Sequence, residues 1–174
     1  MSKGLIKLSS GDATGLANLE LRGITTDYPV CLLSWNNVQP AVDNKNIFFQ
    51  LTELGGSEIT SANYSNATFN YNSTSSATST TGTGATQLVL HASMGNALNE
   101  TGSGQMWIFN AGNIIKYTHI VMENVCINSA AVANAYQGGH ALEVANQIDG
   151  VKFYCESSVN FASGNFVLYG INNK

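Results

Sequence analysis

The chain has 174 residues, a length that suits one domain and can bury a core without disulfide or metal staples. Charged residues make up only 10% against 44% hydrophobic, which excludes the charge-rich, core-poor profile of a disordered chain. The net charge is −4 with 7 Lys plus Arg and no basic run, so direct nucleic-acid binding is not expected.

No apolar run reaches the roughly 18–20 residues of a membrane helix. The start, Met1 to Leu8, lacks the apolar stretch and cleavage site of a secretory signal. Synthesis and assembly in a cytoplasm are therefore expected. Four Asn-x-Ser/Thr sequons begin at Asn63, Asn66, Asn72 and Asn99. They carry meaning only in a secretory pathway.

Residues 1–15 read as an arm ahead of the core, and residues 16–174 as a single domain. Leu16 to Ile24 alternates, with Leu19 and Leu21 on one face and Glu20 and Arg22 on the other. Tyr28 to Trp35 is a dense apolar run that predicts a buried strand. Pro29 belongs at its first position or on an edge. Asn37 to Asn44 reads as a loop, with Asp43 as a turn residue. Asn46 to Leu54 predicts another strand, and Gly55-Gly56-Ser57 a turn.

Tyr64 to Tyr71 alternates weakly. Ser73 to Thr86 is Ser-Thr-Gly low complexity and predicts a long surface loop or hairpin tip. Gln87 to Ser93 resumes as a strand, and Gly95 to Gly104 reads as a loop. Gln105 to Asn110 is a short strand. Ile114 to Asn124 places Thr118, Ile120 and Met122 on one side and His119, Val121 and Glu123 on the other. Tyr136 to Ala145, Ile148 to Cys155 and Phe166 to Ile171 complete the set. Roughly nine or ten strands at this spacing predict an all-β, antiparallel, jelly-roll-like β-sandwich.

Chemistry-bearing residues are sparse. Cys31, Cys126 and Cys155 are odd in number, lack metal spacing and read as buried thiols. His91, His119 and His140 have no partner at metal-ligand spacing. The carboxylates are scattered, and Ser103 in Gly102-Ser103-Gly104 reads as loop rather than nucleophile. No catalytic residue, metal ligand or cofactor site is expected, and the chain reads as non-enzymatic. Trp35 and Trp107 lie within apolar strands and are expected in the core. Tyr64 and Tyr71 flank a polar segment and are the candidates for stacking on a glycan ring.

Several motifs also share an order with a known family. They are Leu19 to Ile24, Tyr28 to Trp35, Asn37 to Asn44 with its Pro40-Ala41-Val42-Asp43, Gly55 to Ser57 followed by Tyr64, Val151 to Phe153, and Ser163 to Ile171. In this the chain resembles small jelly-roll-like virion structural proteins of tailed bacteriophages, over nearly all its length except the arm. The resemblance implies a virion location and a role as a head decoration or cement protein. The alternative it implies is a tail-fibre or receptor-binding component that takes host glycan. Implied partners are the major capsid protein or other virion subunits, and further copies of the chain, with a trimer as the expected state.

Overall fold

The computed structural model describes residues 4–74 and 77–171. Twelve strands form two antiparallel sheets packed face to face. They are β1 (Leu5–Asp12), β2 (Asn18–Arg22), β3 (Val30–Pro40), β4 (Lys45–Glu53), β5 (Tyr64–Asn72) and β6 (Thr78–Ala85). Then come β7 (Leu88–Met94), β8 (Gly102–Phe109), β9 (Thr118–Ile127), β10 (Ala133–Leu142), β11 (Ile148–Cys155) and β12 (Phe161–Ile171). The large sheet has the order β1-β12-β3-β8-β9-β10-β5-β6, and the small one β2-β11-β4-β7.

The pairing is nested. Strand β5 pairs with β6, β4 with β7 and β3 with β8. Strands β11 and β12 then add to β4 and β3. The chain thus rolls up as a ribbon, which is the jelly-roll-like logic expected from the sequence. Strand alternation places one side chain in two on the inner face of each sheet. On β9 these are Thr118, Ile120, Met122, Asn124 and Cys126, all buried. On β11 they are Ile148, Val151, Phe153 and Cys155.

Aromatic rings hold the middle of the core. Phe153 of β11 stacks on Phe166 of β12, with ring centroids 4.5 Å apart, and Phe161 meets Phe166 edge-on. All three are buried. Such ring pairs add about 0.5–1.5 kcal/mol beyond their area.

Several expectations change. The segment expected as an arm contains β1, which pairs with β12 from Leu5↔Ile171 to Asp12↔Asn165. Its weak alternation and its Ser and Gly hid a strand at a sheet edge, where burial is slight. The low-complexity segment expected as a loop contains β6, paired to β5 through Thr78 to Ala85. Threonine is a good strand residue, but a strand with no buried side chain has no apolar alternation to read. Strand β8 begins at Gly102 rather than at Gln105. The Asn37 to Asn44 loop is shorter than expected, because β3 runs on to Pro40 through a bulge at Asn36 and Asn37. Pro29 stands in a bend just before β3, outside the strand rather than at its first position or on an edge.

Strand β7 pairs with β4 only as far as Leu88↔Phe49. Beyond that point β4 needs other partners on this edge. The hydroxyl of Tyr64 accepts from the Leu51 N–H at 2.9 Å, and Ile59 N–H donates to the Leu51 carbonyl at 3.0 Å. Replacing Tyr64 by Phe should leave a buried N–H unpaired and cost about 1–3 kcal/mol. Urea unfolding of the variant against the parent chain measures this. An unchanged midpoint would show that the bond adds nothing.

Candidate interaction face

The outer faces of the two sheets differ in kind. On the small sheet, cross-strand partners place Glu20, Lys152 and Gln50 in one row. Lys152 pairs with Glu58. Arg22 donates to Glu20 at 2.7 Å and to both carboxylate oxygens of Asp149 at 2.9 and 3.1 Å. This is an ordinary solvated, charge-laced surface.

The large sheet is nearly uncharged. From β12 through β3, β8, β9, β10 and β5 to β6, the one Asp, Glu, Lys or Arg is Glu123. Its carboxylate accepts from the Gln137 side-chain amide at 3.0 Å. Register fixes what lies across this face. One row runs Tyr169, Leu32, Trp107, Val121, Gly139 and Ala67. A second runs Ile171, Val30, Phe109 and His119. Val121 and Val125 are each nearly half exposed, at 46% and 48%. Isolated exposed apolar residues are normal, but contiguous rows of them mark interaction sites.

Small residues make a hollow in this face. Ala67, Gly139 and Ala141 lie side by side, walled by Val121, His119 and Thr81, and form an open trough of about 700 Å³. Beside it Phe69 and Tyr71 project together from β5. Their rings are 6.4 Å apart and within 29° of parallel, and both are about half exposed. At the end of the sheet where Ile171, Val30 and Phe109 align, the loop between β8 and β9 adds Ile114, Ile115 and Tyr117. Ile115 is 82% exposed.

Of the two tyrosines singled out in the sequence, the structure keeps one at the surface. Tyr71 is exposed and gains Phe69 as a parallel neighbour. Tyr64 is fully buried and hydrogen-bonded to β4, so it offers no face to a sugar. Both sit on β5, but they differ in position by an odd number and so point to opposite faces. The tryptophans divide in the same way. Trp35 is in the core, whereas Trp107 lies half-buried on the outer face, because Met106 and Ile108 take the inward positions of β8. Sequence reasoning missed Phe69 and the Leu32–Trp107 row. Their signal is parity along the strands, which a continuous apolar run conceals.

The three cysteines and two of the three histidines face inward. The three cysteines are free and buried, and burial pushes each thiol up to about 12. Among the described residues, no three His, Cys, Asp or Glu side chains are placed to hold a metal ion. No described helix is long and apolar enough to cross a membrane. His91 is fully buried, and its Nε2 accepts from the Trp35 indole N–H at 2.9 Å. The neutral tautomer therefore carries its proton on Nδ1. Gly102 and Gly104 make the space: a Cβ at Gly102 would stand 2.7 Å from His91 Nε2, and one at Gly104 2.7 Å from the Trp35 ring. This explains the Gly102-Ser103-Gly104 spacing as packing. His140 is also buried and meets Phe49 edge-on.

No family model matches the chain, and no curated protein matches it in sequence. Solved structures give distant likenesses. A PL-14 alginate lyase from Aplysia kurodai shares 9% identity over 86% of this chain and 74% of that one, with a TM-score of 0.31. The CBM2 module of the evolved Dit of Lactobacillus casei BL23 phage J-1 shares 11% over 99% and 81%, also at 0.31. Infectious bursal disease virus Gx strain shares 10% over 99% and 32%, at 0.26. Likenesses of this size carry no argument about function.

Burial lowers the pKa of His91 to about 3 and that of His140 to about 4, against an ordinary value of 6.5. Between those limits the unfolded chain binds more protons than the folded one, so stability rises with pH. The two histidines should leave stability intact above about pH 6.5 and erode it as pH falls toward about 4. The expected slope is up to about 1.4 kcal/mol per pH unit for each. Chemical denaturation at a series of pH values measures it. A flat profile between pH 6.5 and 5 would contradict neutral burial.

Proposed function

We propose that this chain is a non-enzymatic structural subunit of a tailed-phage particle, most simply a decoration or cement protein of the head. The observation that carries this reading is the outer face of the large sheet, whose seven strands from β12 to β6 carry one charged residue, Glu123. A soluble β-sandwich gains nothing from seven strands with one charge between them, unless another surface covers part of that face. Interface cores are depleted in Lys, Glu and Asp and enriched in aromatic residues, as this face is. The order of motifs shared with small phage virion proteins supplies the setting. On a repeating lattice, many modest contacts add up by avidity. The proposed partner is the major capsid protein, met by the rows through Leu32, Trp107 and Val121.

One observation favours a second reading. Phe69 and Tyr71 form a flat aromatic platform next to the Gln137–Glu123 pair. Flat aromatic faces suit the apolar side of a sugar ring, and an amide and carboxylate suit its hydroxyls. Such a platform fits a tail component that recognises host glycan.

A cryo-EM map of purified particles separates the two. Density repeated over the head lattice, with the large sheet turned toward the capsid, is the expected result. Density at the tail alone would overturn the decoration reading and favour glycan recognition. The exposed positions Val121 and Val125 allow a second test. Val121→Lys with Val125→Lys should leave the fold intact by circular dichroism and lower occupancy on particles by about tenfold or more. In the glycan reading, Phe69→Ala with Tyr71→Ala should instead reduce adsorption to host cells and leave occupancy unchanged.

A further inference from the structure

We infer that β6 is a pairing edge, and that its occupant is the β6 of a second copy, so that two large sheets join antiparallel into one continuous sheet. This does not rest on the particle reading.

An edge strand exposes a row of unpaired N–H and C=O groups. Proteins guard such edges with charges, prolines, bulges or short strands. The other three edges here are managed in that way. Strand β1 carries Lys7 and Asp12 and breaks register between Lys7 and Ser9. Strand β2 has five residues and carries Glu20 and Arg22. Strand β7 breaks register twice against β4.

Strand β6 has none of these charges. Its sequence is Thr78-Ser79-Thr80-Thr81-Gly82-Thr83-Gly84-Ala85. No Asp, Glu, Lys, Arg or Pro occurs anywhere from Ile59 to Asn99. The one irregularity falls at its far end, between the Tyr64↔Ala85 and Asn66↔Gly82 pairs, where Gly84 has φ +72°. Residues Thr78 to Gly82 run in unbroken register against Asn70 to Asn66.

The strand is also incomplete by itself. Seven of its eight residues are exposed and none is buried. A single ladder, to β5, holds it at the edge of the sheet. Its C=O and N–H groups on the free side alternate with those bound to β5. A second strand would satisfy them and close the sheet.

Self-complementarity selects a second copy as that strand. An isologous antiparallel contact centred near Thr80 sets Thr80 against Thr80, Ser79 against Thr81 and Thr78 against Gly82. Thr–Thr and Thr–Ser neighbours are favourable cross-strand pairs. Both surfaces are uncharged, so no like charges meet. Strand β1 is the poorer partner, because its Lys7 and Asp12 would face uncharged threonines. A two-fold contact closes on itself, whereas β6 against β1 would propagate as a ring or filament. The three-fold state implied by the family resemblance is not what this edge builds.

The test uses the full chain in sedimentation velocity and light scattering. The expected species is a dimer, twice the 18.5 kDa of the monomer. A monomer at high concentration, a trimer or an open-ended polymer would overturn the inference. Thr80→Lys should weaken dimerisation by about tenfold or more, with unchanged circular dichroism. Thr80→Glu should do the same alone, and an equimolar mixture of the two variants should dimerise again. A dimer indifferent to both substitutions would place the contact elsewhere. Amide exchange on the unsubstituted chain gives an answer even if the variants misfold. Protection across Thr78 to Gly82 should rise with protein concentration, and protection independent of concentration would overturn the pairing.

Discussion

The structure depends on a mismatch in width: four strands must cover the inner face of eight. Apolar residues therefore concentrate where the two sheets overlap, on β3, β8, β9 and β12 against β4 and β11. The ring stack of Phe153 and Phe166 lies there, with Leu33, Met106, Ile120 and Leu51 in the same core. Beyond the overlap the inner positions turn polar. Asn66, Thr68, Asn70 and Asn72 occupy them on β5, and Thr78, Thr80 and Gly82 on β6. Apolar residues there would face water, so composition follows coverage. The same mismatch strands the β5–β6 hairpin, whose outer strand has no burial to stabilise it.

A second asymmetry follows from which surface each sheet shows to solvent. The small sheet carries paired charges of both signs, Arg22 with Asp149 and Glu20, and Lys152 with Glu58. Exposed pairs like these contribute little to stability, roughly 0–1 kcal/mol each. Their value lies in keeping that face solvated and unattractive to partners. The large sheet lacks this protection over seven strands. Low charge in the chain as a whole is thus a local property of one sheet, and it is that sheet which has both an apolar face and an unguarded edge.

Buried polar groups add to what the core requires. His91 takes a hydrogen bond from Trp35 and needs Gly102 and Gly104 to fit. Asn124, on the inner face of β9, donates its side-chain amide to the Leu90 carbonyl of β7 at 2.9 Å. Tyr64 reaches from the large sheet to the backbone of β4. Each joins the two sheets by a directional bond, which fixes their relative position more closely than apolar contact alone.

The sequence by itself determined the all-β class, the antiparallel sandwich and most of the central strands. Tyr28 to Trp35, Asn46 to Leu54 and Ile148 to Cys155 are legible because burial imposes apolar runs or strict alternation on them. The division of β9 into Thr118, Ile120 and Met122 on one side and His119, Val121 and Glu123 on the other was readable for the same reason, and the structure turns the first set inward. Strands β1 and β6 were not, since neither buries enough side chain to leave a period in the sequence. Only the tertiary structure decided which of two opposite faces each aromatic residue occupies. A one-residue change of parity moves a side chain from core to surface, and an unbroken apolar run such as Met106 to Phe109 has no polar residue to set that parity. Trp107 went outward on this account, and Tyr64 went inward because it stands at an odd separation from Phe69 and Tyr71 on β5. The meeting of Leu32, Trp107 and Val121 in one row is a matter of strand order and register, and those are fixed by contacts between residues far apart in the chain.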